Sequence, residues 1–171
     1  MAVRILLEGR PGSGKTTVAA RLAELLAERG VEVRGFVTHE VREGGRRVGF
    51  DVETMGGERA MLAHVSRPGP PRVGRYGVDL ETFERVALPA LADPPRGGVV
   101  VIDELGKMEL ASERFREAVS RLLETPADLV ATVHVFRHPF TDALKRRKGV
   151  ERVQVTRGNR DRLPEELAGK L

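Results

Sequence analysis

The sequence predicts an α/β fold in which a mostly parallel β-sheet is flanked by helices. Two observations support this prediction. Short apolar runs rich in β-branched residues alternate with segments of helical periodicity, which is typical of βαβ units. A glycine-rich loop joins the first apolar run to the first helical segment. Because the chain of 171 residues shows no internal repeat, low-complexity segment or linker, we expect a single domain spanning 1–171.

The first half of the chain predicts a strand, a helix and a hairpin. Val3–Glu8 is a buried strand by its apolar run, and Lys15–Arg29 is a helix because its apolar residues recur on one face. Val31–Glu40 and Arg46–Glu53 flank a Glu-Gly-Gly turn, so we expect a β-hairpin added to the sheet. The proline- and glycine-rich stretch Ser66–Gly77 predicts a loop.

The second half continues the alternation of helices and strands. Asp79 and Ser112 are typical helix caps, and β-branched runs mark buried parallel strands. The predicted elements are helices at 80–91 and 112–123, strands at 98–103, 129–135 and 150–156, and a short helix after residue 159.

The composition excludes several classes of protein. The chain has no cysteine, and so has neither a disulfide framework nor a thiolate metal site. No apolar run approaches the ~20 residues of a membrane helix, and the strand-like N-terminal residues leave no room for a signal peptide. We therefore expect a cytoplasmic, monomeric protein with no membrane partner.

Side-chain amides are rare, since Asn159 and Gln154 are the only two. Depletion of thermolabile residues is typical of thermophilic proteins, although the excess of Arg over Lys also fits a GC-rich coding sequence. On these grounds we expect a thermostable protein.

The basic character of the chain suits a polyphosphate ligand or nucleic acid, with a net charge of +4 and a pI of 9.9. The one dense basic cluster, 145–148, ends a predicted helix, where cations favour the helix dipole. Tyr76 is the only Tyr and Trp is absent, so an aromatic platform for stacking bases is missing. We do not expect a nucleic-acid partner.

The glycine-rich loop matches the pattern G-x-x-x-x-G-K-[ST] at every fixed position. It follows a strand and opens a helix, so backbone N–H groups and the helix N-terminus face the same anion. The pattern assigns Lys15 to the β- and γ-phosphates, the Thr16 hydroxyl to Mg²⁺ and Thr17 to the α-phosphate. The predicted nucleotide-binding residues are Gly9, Arg10, Pro11, Gly12, Ser13, Gly14, Lys15, Thr16 and Thr17.

A hydrophobic run that ends in Asp103 and Glu104 has the Walker B pattern. Asp103 lies at the carboxyl end of a strand, where open α/β sheets place ligands, and would hold Mg²⁺ directly or through water. Glu104 points differently because side chains alternate along a strand, which suits it to orient or deprotonate a water molecule. A capping pair of acids is the alternative, but the phosphate-binding loop favours catalysis, and a Glu at this position favours a hydrolase over a kinase.

The segment after these acids holds three further candidates. Gly106 lets the backbone bend close to a ligand. Lys107 would add positive charge near the γ-phosphate, unless it is an exposed loop lysine. We expect Glu109 to form hydrogen bonds or shape the loop rather than act as a second base.

Residues 9–17 (Gly-Arg-Pro-Gly-Ser-Gly-Lys-Thr-Thr) and 103–110 (Asp-Glu-Leu-Gly-Lys-Met-Glu-Leu) resemble the THEP-type nucleoside-triphosphatase family. That family includes the human cancer-related nucleoside-triphosphatase. The stretches 35–38 with 46–50, 73–78 and 156–164 are similar to it as well, so the resemblance spans nearly the whole chain in the expected order.

The resemblance implies a P-loop NTPase with a small RecA-like sheet. It implies Mg²⁺-dependent hydrolysis of ATP, GTP, CTP and UTP to the diphosphate and phosphate, with little selectivity for the base. The family's physiological role is poorly defined. Beside the phosphate-binding loop, the resemblance implies a second nucleotide-facing segment, composed of Val100, Val101, Ile102, Asp103, Glu104, Leu105, Gly106 and Lys107.

Several polar residues have two interpretations each. Arg75 in its glycine-rich loop is either a surface residue or an arginine finger on the γ-phosphate, and Arg160 is either structural or stacked on the base. Thr132 either senses the γ-phosphate or bonds to backbone in the core. His134 and His138 are spaced i, i+4, but Pro139 and the strand-to-loop context argue against a helical zinc site.

Three functions stay open at this point. The first is a nucleoside-triphosphatase in which Lys15 and Mg²⁺ neutralise charge while Glu104 positions the water. The second is a kinase that transfers the phosphoryl group to a nucleotide, nucleoside or other small molecule, although no Arg-rich lid is evident. The third is a nucleic-acid-responsive ATPase, which would be stimulated by RNA or DNA and would bind it less tightly as salt rises.

Overall fold

The computed structural model describes all residues from 1 to 171. It contains nine strands, five α-helices and a short 3-10 helix at Glu109–Ala111. The strands are β1 (Arg4–Glu8), β2 (Val33–Glu43), β3 (Arg46–Thr54), β4 (Arg59–His64), β5 (Arg72–Val73), β6 (Tyr76–Val78), β7 (Val99–Leu105), β8 (Asp128–Val133) and β9 (Val150–Gln154). The helices are α1 (Lys15–Glu28), α2 (Leu80–Leu91), α3 (Glu113–Leu122), α4 (Pro139–Arg146) and α5 (Leu163–Ala168). None of these helices combines the length and the apolar character needed to cross a membrane.

All nine strands form one sheet, in the order β5-β6-β4-β3-β2-β7-β8-β1-β9. The half from β2 to β9 is parallel, and the half from β5 to β2 is antiparallel. This mixed α/β sheet confirms the predicted fold class. Because parallel strands share a direction, the carboxyl ends of β1, β7 and β8 meet at one edge, which is where ligands bind in open α/β sheets.

Helices cover both faces of the parallel half, and alternation along each strand divides the apolar side chains between two cores. Leu6 and Ile102 face the core that contains Phe83 of α2 and Phe115 of α3. Ile5, Leu7 and Val101 face the other core, beneath α1 and α5. Apolar residues on both faces are typical of buried parallel strands, and they fix β1 and β7 rigidly beneath the loops that follow them.

The structure confirms most predicted elements to within a few residues, including the β2–β3 hairpin, but it extends the antiparallel part. The prediction of a loop throughout Ser66–Gly77 is wrong at its C-terminal end, because β5 and β6 form there. These strands are two and three residues long, too short for a period-2 pattern to be recognised. β4, which pairs with β3 and β6, is a further strand that the sequence analysis missed.

Candidate active site

The glycine-rich loop lies between the end of β1 and the first turn of α1. The Ser13 N–H donates to the Arg10 carbonyl at 3.0 Å and closes the turn. Gly14 caps the helix with φ at 108°, a left-handed conformation that favours glycine. A Cβ at that position would also lie 2.8 Å from Cδ of Arg160. Both backbone conformation and space therefore require glycine here.

Lys15 extends back over the loop that precedes it. Its Nζ donates to the Gly9 carbonyl at 2.8 Å and lies 4.0 Å from Oε2 of Glu104. The Lys15 side chain is only 11% exposed. The ammonium group is thus held at the mouth of the loop, facing the end of β7.

The side chain of Asp103 on β7 forms hydrogen bonds with residues of three other segments of the chain. Its Oδ1 accepts hydrogen bonds from Thr132 Oγ1 at 2.6 Å and from Thr16 Oγ1 at 3.1 Å. Its Oδ2 accepts from the Thr38 N–H at 3.5 Å. Asp103 is 1% exposed, so β8, α1 and β2 enclose it completely.

The surroundings of Asp103 fit a divalent cation. Burial raises the pKa of the Asp103 carboxyl, and the hydrogen bonds from Thr132, Thr16 and Thr38 oppose this shift without cancelling it. No Lys or Arg forms an ion pair with this carboxylate. The Thr16 hydroxyl lies near enough for one small cation to contact both oxygens. Hydroxyl and carboxylate oxygens are ligands that Mg²⁺ prefers.

Glu104 lies beside Asp103 but faces the opening of the site. Pairing between β7 and β8 is irregular from Ile102 to Leu105, and such irregularities re-aim side chains. Burial and the charge of Asp103 raise the pKa of the Glu104 carboxyl, while Lys15 opposes them. Its side chain is still 35% exposed, so a water molecule can reach it.

Glu109 is a third acid of this cluster and is 4% exposed. A Cβ on Gly106 would lie 2.9 Å from Oε2 of Glu109 and 2.9 Å from Oε1 of Glu104. The two carboxyl groups thus approach each other across Gly106, where no side chain fits. Burial, followed by the charge of Glu104, holds the pKa of Glu109 well above its ordinary value. This burial next to Gly106 fits the loop-shaping role predicted for Glu109.

A cavity of about 580 Å³ opens over these groups. Its floor includes Lys15, Thr16 and Glu104. Arg160 lines it from the C-terminal segment, and Arg47 lines it from the β2–β3 hairpin. The glycine-rich loop therefore forms part of a larger chamber, with positive charge contributed from two other segments.

Several residues predicted for the site lie elsewhere. Lys107 does not line the cavity, and its Nζ lies 3.9 Å from the ring centroid of Phe136. Arg75 does not line it either, because its guanidinium contacts Tyr76 and the Arg47 carbonyl. The side chains of β7 that precede or follow the acids are in the cores and fully buried, namely Val100, Val101, Ile102 and Leu105.

Three polar residues, Thr132 in β8 and His134 and His138 after it, had two interpretations each, and their contacts decide between them. Thr132 bonds to the Asp103 side chain and not to backbone. His134 Nε2 lies 3.2 Å from Thr141 Oγ1, and burial followed by neighbouring positive charge lowers the pKa of His134 to about 4. His138 caps α4 by accepting from the Phe140 N–H. Each histidine therefore has a partner within the chain.

Sequence reasoning missed three residues that contribute to this region: Thr38, Arg47 and Glu8. Thr38 and Arg47 reach the site only through strand pairing, for which the sequence carries no local signal. Glu8 directly precedes the glycine-rich loop and bonds Arg152 at 2.7 and 3.0 Å and Lys145 at 3.4 Å. An acidic residue at the end of a buried apolar strand was a usable signal, because such a charge needs a partner.

Comparison with known proteins agrees with this geometry. The model of a family described as NTPase matches residues 4–168. The chain is 44% identical to the human cancer-related nucleoside-triphosphatase, covering 95% of this chain and 93% of that protein. It is 40% identical to the nucleoside-triphosphatase THEP1 of Thermotoga petrophila, with 96% and 90% covered.

A solved structure is similar throughout. The crystal structure of THEP1 from Aquifex aeolicus superimposes with a TM-score of 0.88 and 32% identity, covering 99% of both chains. The resemblance seen in the sequence is thus confirmed over the full length, and the chain belongs to the NTPase family that contains the THEP1 nucleoside-triphosphatases.

Proposed function

We propose that this protein hydrolyses nucleoside 5'-triphosphates to the diphosphate and phosphate, with Mg²⁺ as its cofactor and with little selectivity among ATP, GTP, CTP and UTP. One observation carries the proposal above the others. Lys15, Thr16 and Glu104 line a single cavity, and Asp103 lies buried next to it, bonded to Thr16, with the distances given above. The relatives that bear the name nucleoside-triphosphatase support it independently.

The triphosphate is held by the glycine-rich loop. Backbone N–H groups of the loop and the N-terminus of α1 provide the anion site, with Lys15 bonding the β- and γ-phosphates. Thr17 would contact the α-phosphate. Arg160, which lies over Gly14, is near enough to stack on the base. Stacking depends little on which base is bound, and this supports broad specificity.

Thr16 and Asp103 are the residues that would hold the metal ion. When bound there, Mg²⁺ supplies positive charge to the phosphate oxygens. Thr132 and the Thr38 N–H keep the Asp103 carboxylate in a fixed orientation, because each occupies one of its oxygens. The position of the ligand oxygens is therefore set by the fold before any nucleotide arrives.

Glu104 is the proposed general base. Its carboxylate is buried enough to have a raised pKa, which makes it a better proton acceptor near neutral pH. It is also open to the cavity. Water attacks the γ-phosphorus, a proton passes to a Glu104 oxygen, and the bond to the diphosphate breaks. Lys15, 4.0 Å away, offsets the charge on both the carboxylate and the phosphate.

A kinase is the second candidate, because the rings of Phe50 and Phe136 also line the cavity and would contact an acceptor molecule. Phosphate release that requires an added nucleotide or nucleoside acceptor would favour this alternative over hydrolysis.

The direct test is phosphate release from each of the four triphosphates, with Mg²⁺ and with EDTA. We expect release from all four within about tenfold of one another, and none with EDTA. Activity that is unchanged by EDTA would overturn the Mg²⁺ requirement, and activity with a single base would overturn broad specificity.

The nucleic-acid-responsive ATPase is the least supported candidate. In the basic segment, Lys145 is paired with Glu8 and Arg147 is paired with Glu124. Part of its charge is therefore already neutralised within the chain. We expect no stimulation by RNA or DNA. A monomeric state, a cytoplasmic location and thermostability are further proposals from the sequence, which size, fractionation and melting measurements would check.

A further inference from the structure

Arg47 lines the cavity but has no role in the hydrolysis proposed above, which uses Lys15, Glu104 and a metal ion. Arg47 is the second residue of β3 in the β2–β3 hairpin and lines the same cavity as Lys15. The side chain is 42% exposed. It belongs to the antiparallel half of the sheet, whereas the phosphate-binding loop belongs to the parallel half.

The guanidinium of Arg47 is positioned by contacts with Tyr76, Glu40 and Phe50. Its Nε donates to Tyr76 Oη at 2.9 Å, and Nη1 donates to Glu40 Oε1 at 3.2 Å. The group also lies over two rings, 5.2 Å from the Phe50 centroid and 5.8 Å from the Tyr76 centroid. The Nη2 group forms no hydrogen bond within the chain, so its two N–H donors are free to bind a ligand.

Arg75 contacts both Arg47 and Tyr76. It donates to the Arg47 carbonyl and to Tyr76 Oη, the latter at 3.2 Å, and its guanidinium lies 5.2 Å from the Tyr76 ring centroid. Arg75 is thus engaged with the residues that hold Arg47, and Arg47 is the one that faces the cavity. The finger role considered for Arg75 in the sequence fits Arg47 better.

The strand register places Arg47 opposite Arg42, four residues or about 13 Å along β2 from Thr38, and the Arg47 side chain reaches back toward the phosphate end. The Thr38 N–H contacts Asp103, and Glu40 lies two residues further along β2, about 7 Å away. Glu40 is the residue that bonds the Arg47 guanidinium. This ion pair is exposed and therefore weak, so a triphosphate can draw the guanidinium away from Glu40.

We propose that Arg47 contacts the γ-phosphoryl group in the transition state and stabilises its charge from within the same chain, while Tyr76 and Arg75 position it. The proposal rests on the proposed hydrolysis. Arg47 keeps its proton throughout, because arginine is not deprotonated in proteins. The water oxygen bonds to phosphorus, the bond to the leaving diphosphate breaks, and the proton goes to Glu104. Arg47 supplies charge that is most useful when the phosphoryl group is between the two oxygens.

The test replaces Arg47 with Met and uses Arg46→Met as the matched control. Arg46 is the exposed neighbour on the same strand, and adjacent side chains on a strand point to opposite faces. Three quantities are measured for each protein: kcat for ATP, affinity for fluorescent mant-ADP, and formation of the complex of ADP, Mg²⁺ and aluminium fluoride, which mimics the transition state.

For Arg47→Met we expect kcat to fall about 100-fold or more, mant-ADP affinity to stay within about threefold, and the aluminium fluoride complex to be lost. Arg46→Met should keep all three. For Arg75→Met and Tyr76→Phe we expect smaller losses of kcat, about tenfold, with KM nearly unchanged.

Turnover of Arg47→Met within threefold of wild type, or a normal aluminium fluoride complex, would overturn the proposal. If Arg47→Met does not fold, Arg47→Gln gives the same test, because Gln keeps hydrogen bonds while it removes the charge. A wild-type protein that releases no phosphate would instead overturn the proposed function, so the two failures are distinguishable.

Discussion

Two buried acids lie at the same edge of the sheet, and basic side chains form ion pairs with one of them but not with the other. Glu8 at the end of β1 is 7% exposed and Asp103 near the end of β7 is 1% exposed. Glu8 bonds Arg152 and Lys145, whereas Asp103 bonds only two hydroxyl groups and one backbone N–H.

The two environments shift the two pKa values in opposite directions. Burial alone would raise the pKa of Glu8, but the hydrogen bonds and charges of Arg152 and Lys145 outweigh it and lower the pKa. For Asp103 burial dominates, and the pKa rises. Three hydrogen bonds and the charge of Lys15, which forms no ion pair with Asp103, favour its ionised form, and a cation that arrives with the ligand would favour that form further. The difference separates an acid that supports the fold from one that serves the site.

The largest expected effect is that of Asp103→Asn. Asn keeps an oxygen for Thr132 and Thr16 but has no charge to hold a metal ion, so we expect kcat to fall about 100-fold or more. Stability should change little, because removal of a buried carboxylate offsets the loss of the hydrogen bond from the Thr38 N–H. Phosphate release and thermal melting measure both, with the exposed Asp93→Asn as control. A variant that loses stability while it keeps turnover would reverse the assignment of the two acids.

Glu109→Gln tests whether burial without an ion pair raises the pKa of a carboxyl group, through the pH dependence of stability. The folded protein raises the pKa of Glu109 well above 4.5, so the folded state binds the proton more tightly than the unfolded state. Wild-type stability therefore falls as pH rises between the two pKa values, by up to about 1.4 kcal/mol per pH unit. Glu109→Gln should lack this slope and gain stability relative to the wild type as pH rises above 4.5 in denaturant melts. Parallel curves for the two proteins would show that Glu109 is ionised.

Glu8→Gln should have the smallest effect and the opposite pH dependence. It leaves two cations without their partner, and since Arg152 is half exposed we expect a loss of about 1–2 kcal/mol. The lowered pKa means that the stabilisation is present above the ordinary value of 4.5 and disappears as pH falls below it. Turnover should stay within threefold.

The control for Glu8→Gln is Glu151→Gln, which removes an exposed pair with Lys170 and should cost a few tenths of a kcal/mol. A loss at Glu8 no larger than at Glu151, or one that grows in acid, would contradict the structural role of Glu8.

Local patterns allowed the parallel half of this fold to be predicted from the sequence. The glycine-rich loop needs fixed residue types at fixed spacings, and a buried strand needs a continuous apolar run, so β1, α1 and β7 are recognisable within 10 to 20 residues. The acids at the end of β7 follow directly from that strand. The chemistry predicted from the sequence lies in two short segments, residues 9–17 and 103–104.

The antiparallel half was less predictable because its contacts are distant in sequence. Arg47 depends on Tyr76, which is 29 residues away. The same difficulty arises once in the parallel half, where Glu8 depends on Arg152, which is 144 residues away. Nothing around Arg47 distinguishes it from Arg46 until the register of β2 and β3 is known. Lys107 does not line the cavity. Its contact with Phe136 carries no signal in the sequence.

The central claim is that Glu104 acts on the water while the glycine-rich loop and Asp103 hold the nucleotide. Glu104→Gln keeps the size and polarity of the side chain and removes its basicity, with the exposed Glu117→Gln as control. Single-turnover phosphate release and mant-ATP affinity measure catalysis and binding separately. The account predicts mant-ATP affinity within about threefold of wild type and release slowed at least 100-fold. Release at a near wild-type rate would contradict it.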